Sequence, residues 1–559
     1  MFPSVRYYAI LGLITYMTIS TAIASEMCKE SITSLGGIPD GYEIINESLK
    51  YSPDFKHISY AAFSNTKNNI VRFDDRTSPV YIAVRPGYPV FAPGTNRNAY
   101  IAYRTENKAV CVVDWEAGPE FDNIDQFLFS PDGKRYAYRA AKDGKQCIVI
   151  DGKPGPLFKG IPVKENMTFS PDAKRFAYVA LTDAGCILVL DGIQQANTYN
   201  FIQDVIFSPD STQIAFKARI EKKGNSEKWK AIRNGISGQV YNKIFDLFFS
   251  PDSNRFAYSA VKDKQMVLVI DGIEKPPHDV YGLPVFSADS KTLAYVYSKN
   301  EKYHFVINGK EQDDNFDKFY KFFYSPDSLN YAYIANKKDS WHCVYNGNIG
   351  LAYKSIEGFK FSEDSSKYAY GAVTEKGGQI VVNGKEGKAY TSVGEPYFSP
   401  DSRHVVHKAV DTERDKWTTI LNEKQIGLFY ASIGKYFFSK NSRHLAYSAM
   451  KNPNHILMVV DHQEQCRKQM FNIVGDPYFS PDGEHIAYYA MLEPEKWKLV
   501  VDGRVLDEVY GGFIKTTPIV FDSGTKFHTL AIRIPGPEFV RIDVIIPAEW
   551  KLETEIRSS

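Results

Sequence analysis

The chain has 559 residues, 43% of them hydrophobic and 14% aromatic, enough apolar side chains for large cores and too many for a disordered or low-complexity polymer. Its 67 basic and 66 acidic residues leave a formal net charge of +1. Nucleic-acid binding, which rests on an excess of clustered Lys and Arg, is therefore not expected.

At the N-terminus, Arg6 precedes an apolar stretch from Tyr7 to Ala22, and Ala22-Ile23-Ala24 offers a small-x-small cleavage site before Ser25. Residues 1–24 read as a cleaved secretory signal, which implies an exported protein, periplasmic or extracellular. The stretch contains Thr and Ser and is short for a membrane span, which disfavours an uncleaved anchor. The residues before Cys28 lack the small residue expected ahead of a lipidated cysteine. No later segment reads as a transmembrane helix.

From residue 51 onward one string returns repeatedly. Copies include "YSPDFKHISY" (51–60), "FSPDGKRYAY" (129–138), "FSPDAKRFAY" (169–178), "FSPDSNRFAY" (249–258), "YSPDSLNYAY" (324–333), "FSPDSRHVVH" (398–407) and "FSPDGEHIAY" (479–488). With degenerate copies at Phe91 and Phe521 there are thirteen units, spaced by 37 to 42 residues. About twenty residues later in many units comes a β-branched run ended by Asp-Gly or Asn-Gly, as in "CIVIDGK" (147–153) and "IVVNGK" (380–385). That dipeptide is a strong hairpin signal. Each unit therefore holds a strand ending in Phe-Ser, a turn, a strand carrying Ala-Tyr, a loop, a β-branched strand, an Asx-Gly turn, and a last strand placed near "VYNKI" or "KAYTSV". Four antiparallel strands in about 40 residues make a propeller blade, and no sustained helical stripe competes with that assignment.

The Phe-Ser-Pro-Asp-Gly/Ser string followed by Ala-Tyr resembles the WD40-like repeat of TolB-type β-propellers, seen also in the propeller halves of prolyl-oligopeptidase-like enzymes. The resemblance spans about Leu49 to Ile546. It implies an all-β fold of about thirteen four-stranded blades and says little about activity. Because one ring usually holds roughly four to eight blades, two propellers in tandem are expected, six plus seven. They are assigned to residues 41–282 and 283–546, followed by a tail, 547–559. "GYEIINES" (41–48) is expected as a fourth strand lacking its first three, and "EFVRIDVII" (538–546) as a third strand lacking its fourth. Together they would complete a mixed blade.

Most recurring residues are explained by turns. Pro251 presets φ and Asp252 can bond nearby backbone N–H groups. Basic residues three positions after the turn Asx (Arg135, Arg175, Arg255, Lys367, His404, His444, His485) are expected to pair locally with it. One zinc ion could not gather three histidines from successive blades roughly 10 Å apart. No calcium loop occurs, and no metal or cofactor is expected. Asp151, Asp191, Asp271 and Asp502 fit hairpins that need positive φ. Cys111, Cys147, Cys186 and Cys343 lie in third strands and read as buried thiols, with Cys28 and Cys466 elsewhere. No G-x-S-x-G elbow is present and no segment remains for a hydrolase domain, so no catalytic residues are assigned.

Four tryptophans stand apart. Trp229, Trp341, Trp417 and Trp497 each precede a turn Asx by five residues, so all enter the third strand from one rim. The most variable and charged loops share that rim: 219–228, 373–379, 410–416 and 491–496. A surface including these tryptophans with Glu413, Arg414 and Asp415 is the candidate for binding a protein partner or an envelope component. The structural alternative is that each Trp plugs a gap between neighbouring blades. A second functional class, an enzyme or carbohydrate-binding protein, would place its site at a propeller axis with first-strand residues such as Lys321, Lys360 and Lys435.

Overall fold

The computed structural model describes residues 28–66, 68–162, 167–411, 413–514 and 517–552. The expected signal at 1–24 lies outside them. Described residues form strands and turns with no helix, arranged as thirteen antiparallel sheets. The fold is an all-β propeller of thirteen four-stranded blades.

A representative blade runs Lys243–Phe249, Phe256–Lys262, Gln265–Ile270, Ile273–Glu274, paired in that order. Its second strand is buried at every position from Phe256 to Ala260, because sheets cover both of its faces. Phe256, Tyr258 and Ala260 pack with Val267 and Val269 and with Ala215, Trp229 and Ala231 of the preceding blade. Full burial of one such apolar side chain contributes on the order of 1.5–3 kcal/mol.

Proline interrupts several of the inner strands. In "YGLPVF", "VGDPYF" and "PGYPVF" the first strand is broken in two, as at Val280–Tyr281 and Val285–Phe286, since Pro supplies no ladder N–H. Most units without that proline keep a continuous seven-residue strand, such as Ser355–Phe361, although the first blade's inner strand is also interrupted, between Tyr42–Ile44 and Lys50–Tyr51.

The fourth strand differs from the sequence expectation. It follows the Asx-Gly turn directly and is usually two residues long, as at Ile236–Ser237 and Lys385–Glu386. "VYNKI" instead opens the next blade. Tyr241 bridges back to Trp229, and Lys243 starts the next inner strand. The two-residue turn forces immediate pairing, so the outer strand begins before the aromatic position is reached.

The mixed blade also has a different composition. Tyr42–Ile44 is not an outer strand. It pairs with Ile58–Ser64 as the inner strand of its own blade. The strand completing Glu538–Ile545 is Lys29–Gly37, in register from Lys29↔Ile545 to Ser34↔Val540. Leu35 is buried there, and Ile32 packs on the cluster around Val540, Ile542 and Val544. Glu30 identifies the strand, because it accepts a bond from Tyr510 as Glu274 does from Tyr241 in a blade of consecutive chain.

Two compact units result. One runs from Ile38 to Tyr430 and holds ten sheets; the other joins the segment up to Gly37 to the chain from Ala431 and holds three. Position 282/283, where the sequence placed a domain boundary, lies inside one sheet, for Val280–Tyr281 and Val285–Phe286 both pair with Leu293–Lys299. The tail packs as far as Leu552, whose N–H donates to the Glu484 carbonyl at 3.3 Å, while Arg504 covers the Trp550 ring at 4.2 Å.

Candidate functional site

The repeated Ser-Pro-Asp corner is architecture. The Ser250 hydroxyl donates to Asp252 Oδ1 at 2.6 Å and accepts the Arg255 N–H at 2.9 Å, while Asp252 Oδ1 accepts the Asn254 N–H at 3.1 Å. Donation from Ser250 is the first cause that holds the Asp252 carboxyl down at about 2. The residue after Asp carries positive φ, which explains Gly133 at 68° and Gly483 at 78°. Ser253 takes that conformation at 66° because its hydroxyl accepts the Asp210 N–H of the preceding blade at 3.0 Å. The same stitch joins Asp172 to Ser211, Asp252 to Ser290, Asp289 to Ser328, Asp327 to Ser365 and Asp364 to Ser402.

Most basic residues after the corner serve the Asx-Gly hairpin of their own blade rather than the Ser-Pro-Asp turn, whereas Lys367 donates to the Ser402 carbonyl of the next blade at 2.9 Å. Arg135, Arg175 and Arg255 each place Nε within 3.0 Å of Asp151, Asp191 and Asp271. Arg135 and Arg175 also donate to corner carbonyls of the next blade. His444 and His485 are buried with Nδ1 at 2.6 and 2.7 Å from Asp461 and Asp502, and His404 Nδ1 meets Asn422 at 2.9 Å. These histidines are thus occupied as hairpin clamps. The four turn aspartates hold φ between 48° and 52°, as the hairpins require.

All four rim tryptophans occupy one structural position. Trp229, Trp341, Trp417 and Trp497 bridge to Tyr241, Tyr353, Tyr430 and Tyr510, each in the connection that follows the outer strand. Other units fill that position with Asn69, Ala109, Gln146 or Gly378, so a tryptophan is not needed for the bridge. Trp229 is buried, and the other three are half-buried. Trp229 Nε1 donates to Glu227 at 3.0 Å, Lys408 Nζ lies over Trp417 at 5.2 Å, and Trp497 meets Phe513 edge-on.

Glu413, Arg414 and Asp415 are exposed. Asp411 holds their loop by accepting the Glu413 and Arg414 N–H groups at 3.2 and 3.0 Å, and Arg414 lies 4.1 Å over Phe429 beside Tyr430. The loop therefore contacts the connection that follows the outer strand, as rim geometry requires. An analogous juxtaposition forms an open groove of about 590 Å³ between two neighbouring blades. Asp339 and Ser340 line one wall, Lys354 the floor between blades, and Glu375, Lys376 and Gln379 the other. Lys354 and Glu375 pair across it at 2.8 Å. Nothing in the repeat pattern marks this groove beyond the charged loop 373–379, because its other wall comes from the preceding unit.

Of the axis candidates, Lys321 is exposed with its ammonium 5.3 Å over Phe323, Lys360 is engaged by Glu395 at 3.3 Å and by the Tyr397 ring at 3.9 Å, and Lys435 is exposed. Two acidic first-strand residues sequence reading passed over do hold buried cations: Asp125 pairs with Arg139 and Asp204 with Lys217. All six cysteines are free thiols, with Cys111, Cys147, Cys186 and Cys343 buried in third strands. Among the described residues no group of three or more His, Cys, Asp or Glu side chains is placed to hold a metal ion, and no helix is long and apolar enough to cross a membrane.

No family model matches the sequence and no curated protein matches it. Similar solved structures include a eukaryotic initiation factor, 14% identical over 58% of this chain and 92% of that one, with a TM-score of 0.28. They also include TolB from Acinetobacter baumannii, 15% identical over 48% and 78%, TM-score 0.21, and the β-propeller domain of the Trilobed protease from Pyrococcus furiosus, 11% identical over 53% and 94%, TM-score 0.23. The fold assignment rests on the thirteen sheets themselves, and by them the chain is a β-propeller protein.

Proposed function

We propose that the protein is an exported, non-catalytic β-propeller that binds a protein partner or an envelope component through the rim of its second-to-third strand loops. One observation carries this reading: corner, hairpin and core positions repeat from blade to blade with fixed hydrogen-bond roles, whereas the rim loops diverge in length and charge and remain exposed. Variable loops on a rigid scaffold are where recognition is placed in proteins generally. The apolar segment at residues 7–22 with its cleavage-like site supports export.

The rim reading is tested by reversing charges at Glu413, Arg414 and Asp415 together and comparing capture of partners from a periplasmic or secreted lysate with that of the unaltered protein. Loss of a specific band supports the reading; unchanged capture by a folded variant counts against it.

A further inference from the structure

One pair of blade positions varies together, and a single blade breaks the rule. In blades of consecutive chain, glutamate is the second residue of the outer strand at Glu274, Glu311, Glu386 and Glu464. In three of these the seventh residue of the second strand is lysine, at Lys262, Lys299 and Lys451. Lys262 and Lys451 donate to their glutamates at 2.9 and 2.7 Å, and Glu311 is met by His304 at 2.9 Å. The blade of Glu386 has Thr374 at the lysine position, and its hydroxyl donates instead to the Gly377 carbonyl at 3.1 Å. Among the described residues only the neutral amide of Gln379, 6% exposed, bonds the Glu386 side chain, through Oε1 at 2.6 Å.

Tyr353 shows the consequence. Tyr241, at the same position of an earlier connection, donates to Glu274 at 2.8 Å. The Tyr353 hydroxyl is buried beside Glu386 and Tyr370 yet meets hydrogen-bond geometry with neither. A buried hydroxyl without a bond is uncommon and points to a missing group. The groove of about 590 Å³ opens at this place, lined by Tyr353, Thr374, Gln379 and Glu386. It thus includes the space that a lysine side chain crosses in two other blades. Charge alone does not choose its occupant: Lys354 pairs with Glu375 at 2.8 Å, Asp339 and Lys376 stand on opposite walls, and exposed Lys338 and Lys385 adjoin Asp339 and Glu386 in the chain. Selection falls to the bond that Glu386 lacks.

We propose that this groove receives the ammonium group of a lysine from a partner polypeptide, bonded to Glu386 in the place that Lys262 and Lys451 fill in their own blades. Drawn to the ammonium, the exposed Glu386 side chain takes the arrangement of Glu274 and accepts the Tyr353 hydroxyl. A carboxylate would be repelled by Glu386. A guanidinium fits less well, because its planar fork binds both oxygens of a carboxylate and Gln379 already holds one of them. Ala352 and Tyr353 supply apolar lining for the methylene stem. The open groove is larger than one lysine side chain fills, which leaves room for the backbone and flanking residues of a polypeptide. The assignment deepens the rim reading, since Glu375 and Lys376 belong to rim loop 373–379.

The test uses the full chain and a short fluorescent peptide of glycines and serines carrying one lysine, with acetyl-lysine, arginine and glutamate versions as comparisons. The lysine peptide should bind in preference to all three. Thr374→Lys restores the internal pair of the neighbouring blades, so it should weaken lysine-peptide binding by roughly tenfold or more while the melting temperature holds or rises. Glu386→Gln should weaken binding to a similar extent, and Lys376→Gln should not weaken it. Equal binding of the acetylated peptide, or undiminished binding by a folded Thr374→Lys variant, would overturn the proposal. Displacement of the peptide by an equal concentration of 1,5-diaminopentane would place the ammonium on a small amine and overturn the assignment to a polypeptide. Reversal of Glu413, Arg414 and Asp415 should leave the peptide affinity unchanged, so failure of the rim reading at that loop is distinguishable from failure here.

Discussion

The Tyr510 hydroxyl donates to Glu30 Oε1 at 3.2 Å across 480 positions of sequence. Tyr241 makes the same bond to Glu274 at 2.8 Å across only 33. Glu30 thus takes the outer-strand place that consecutive chain supplies elsewhere, and Lys29–Gly37 is an integral strand of the final blade. A chain lacking residues up to Gly37 should expose the long edge of Glu538–Ile545, lower the melting temperature, and aggregate more readily as heating begins. A melting temperature and monomer content equal to those of the longer protein would contradict this.

Glu30 also predicts a pH dependence. Burial, the largest influence, raises its carboxyl above the ordinary value despite the bond from Tyr510. A raised folded value means that the folded state holds the proton more tightly than the unfolded state. The stabilising contribution is present below the unfolded value, about 4.3, and is lost as pH rises through the folded one. Glu30→Gln removes this ionisation, so its melting temperature relative to the unaltered protein should improve between about pH 4 and pH 7. A constant difference across that range would refute the assignment.

Corner serines should matter through a single atom. Ser253 is buried and its hydroxyl accepts the Asp210 N–H of the neighbouring blade. Ser253→Ala leaves that donor unmatched and keeps a Cβ at positive φ, so a loss of about 1–3 kcal/mol is expected from the unmade bond. Ser253→Gly loses the same bond without that backbone penalty and should be less damaging. Denaturant melts of the two variants, with amide exchange at Asp210, check both statements.

His444 and Asp461 are a buried pair at 2.6 Å, with side chains 2% and 0% exposed. Asp461 also accepts the Leu445 N–H, so His444→Ala strands a carboxylate that anchors a backbone turn. Removing one partner of a buried pair costs on the order of 3–5 kcal/mol. His404, whose hairpin partner is the neutral Asn422, should tolerate alanine better. Similar losses at the two sites would show that charge pairing at Asp461 contributes little.

Thiol reactivity offers an independent check on the core. Burial pushes the Cys343 thiol up to about 12, and Cys28 likewise to about 12, where burial is again the main cause. The thiolate is the reactive form. Alkylation of both at pH 8 should therefore be slow in the native protein and accelerate sharply in denaturant. Rapid native labelling of Cys343 would contradict its placement.

Within the sequence alone, thirteen units built on the Phe-Ser-Pro-Asp string or degenerate copies of it, at near-constant spacing, determine the fold, because each blade's turns and core strand are local and carry their own residue signals. Pro251, Asp252 and the Asx-Gly pairs were legible as turns for that reason. Short-range patterning could not reveal what bonds cross from one unit to another. Ser253 reads as a turn residue, yet its hydroxyl serves the preceding blade; Arg135 is basic beside a turn, yet it also donates to the Lys174 carbonyl of the next blade. Pairing of Lys29–Gly37 with Glu538–Ile545 was likewise hidden, since a lone strand joined to one more than 500 residues away has no periodic neighbour to announce it. The four tryptophans share one bridging position, but how deeply each is covered depends on the Tyr and loop of the adjoining connection. Whether space opens beside Thr374 could be decided only by tertiary structure, because Asp339 and Glu386 come from neighbouring blades and their packing sets the width of the groove between them.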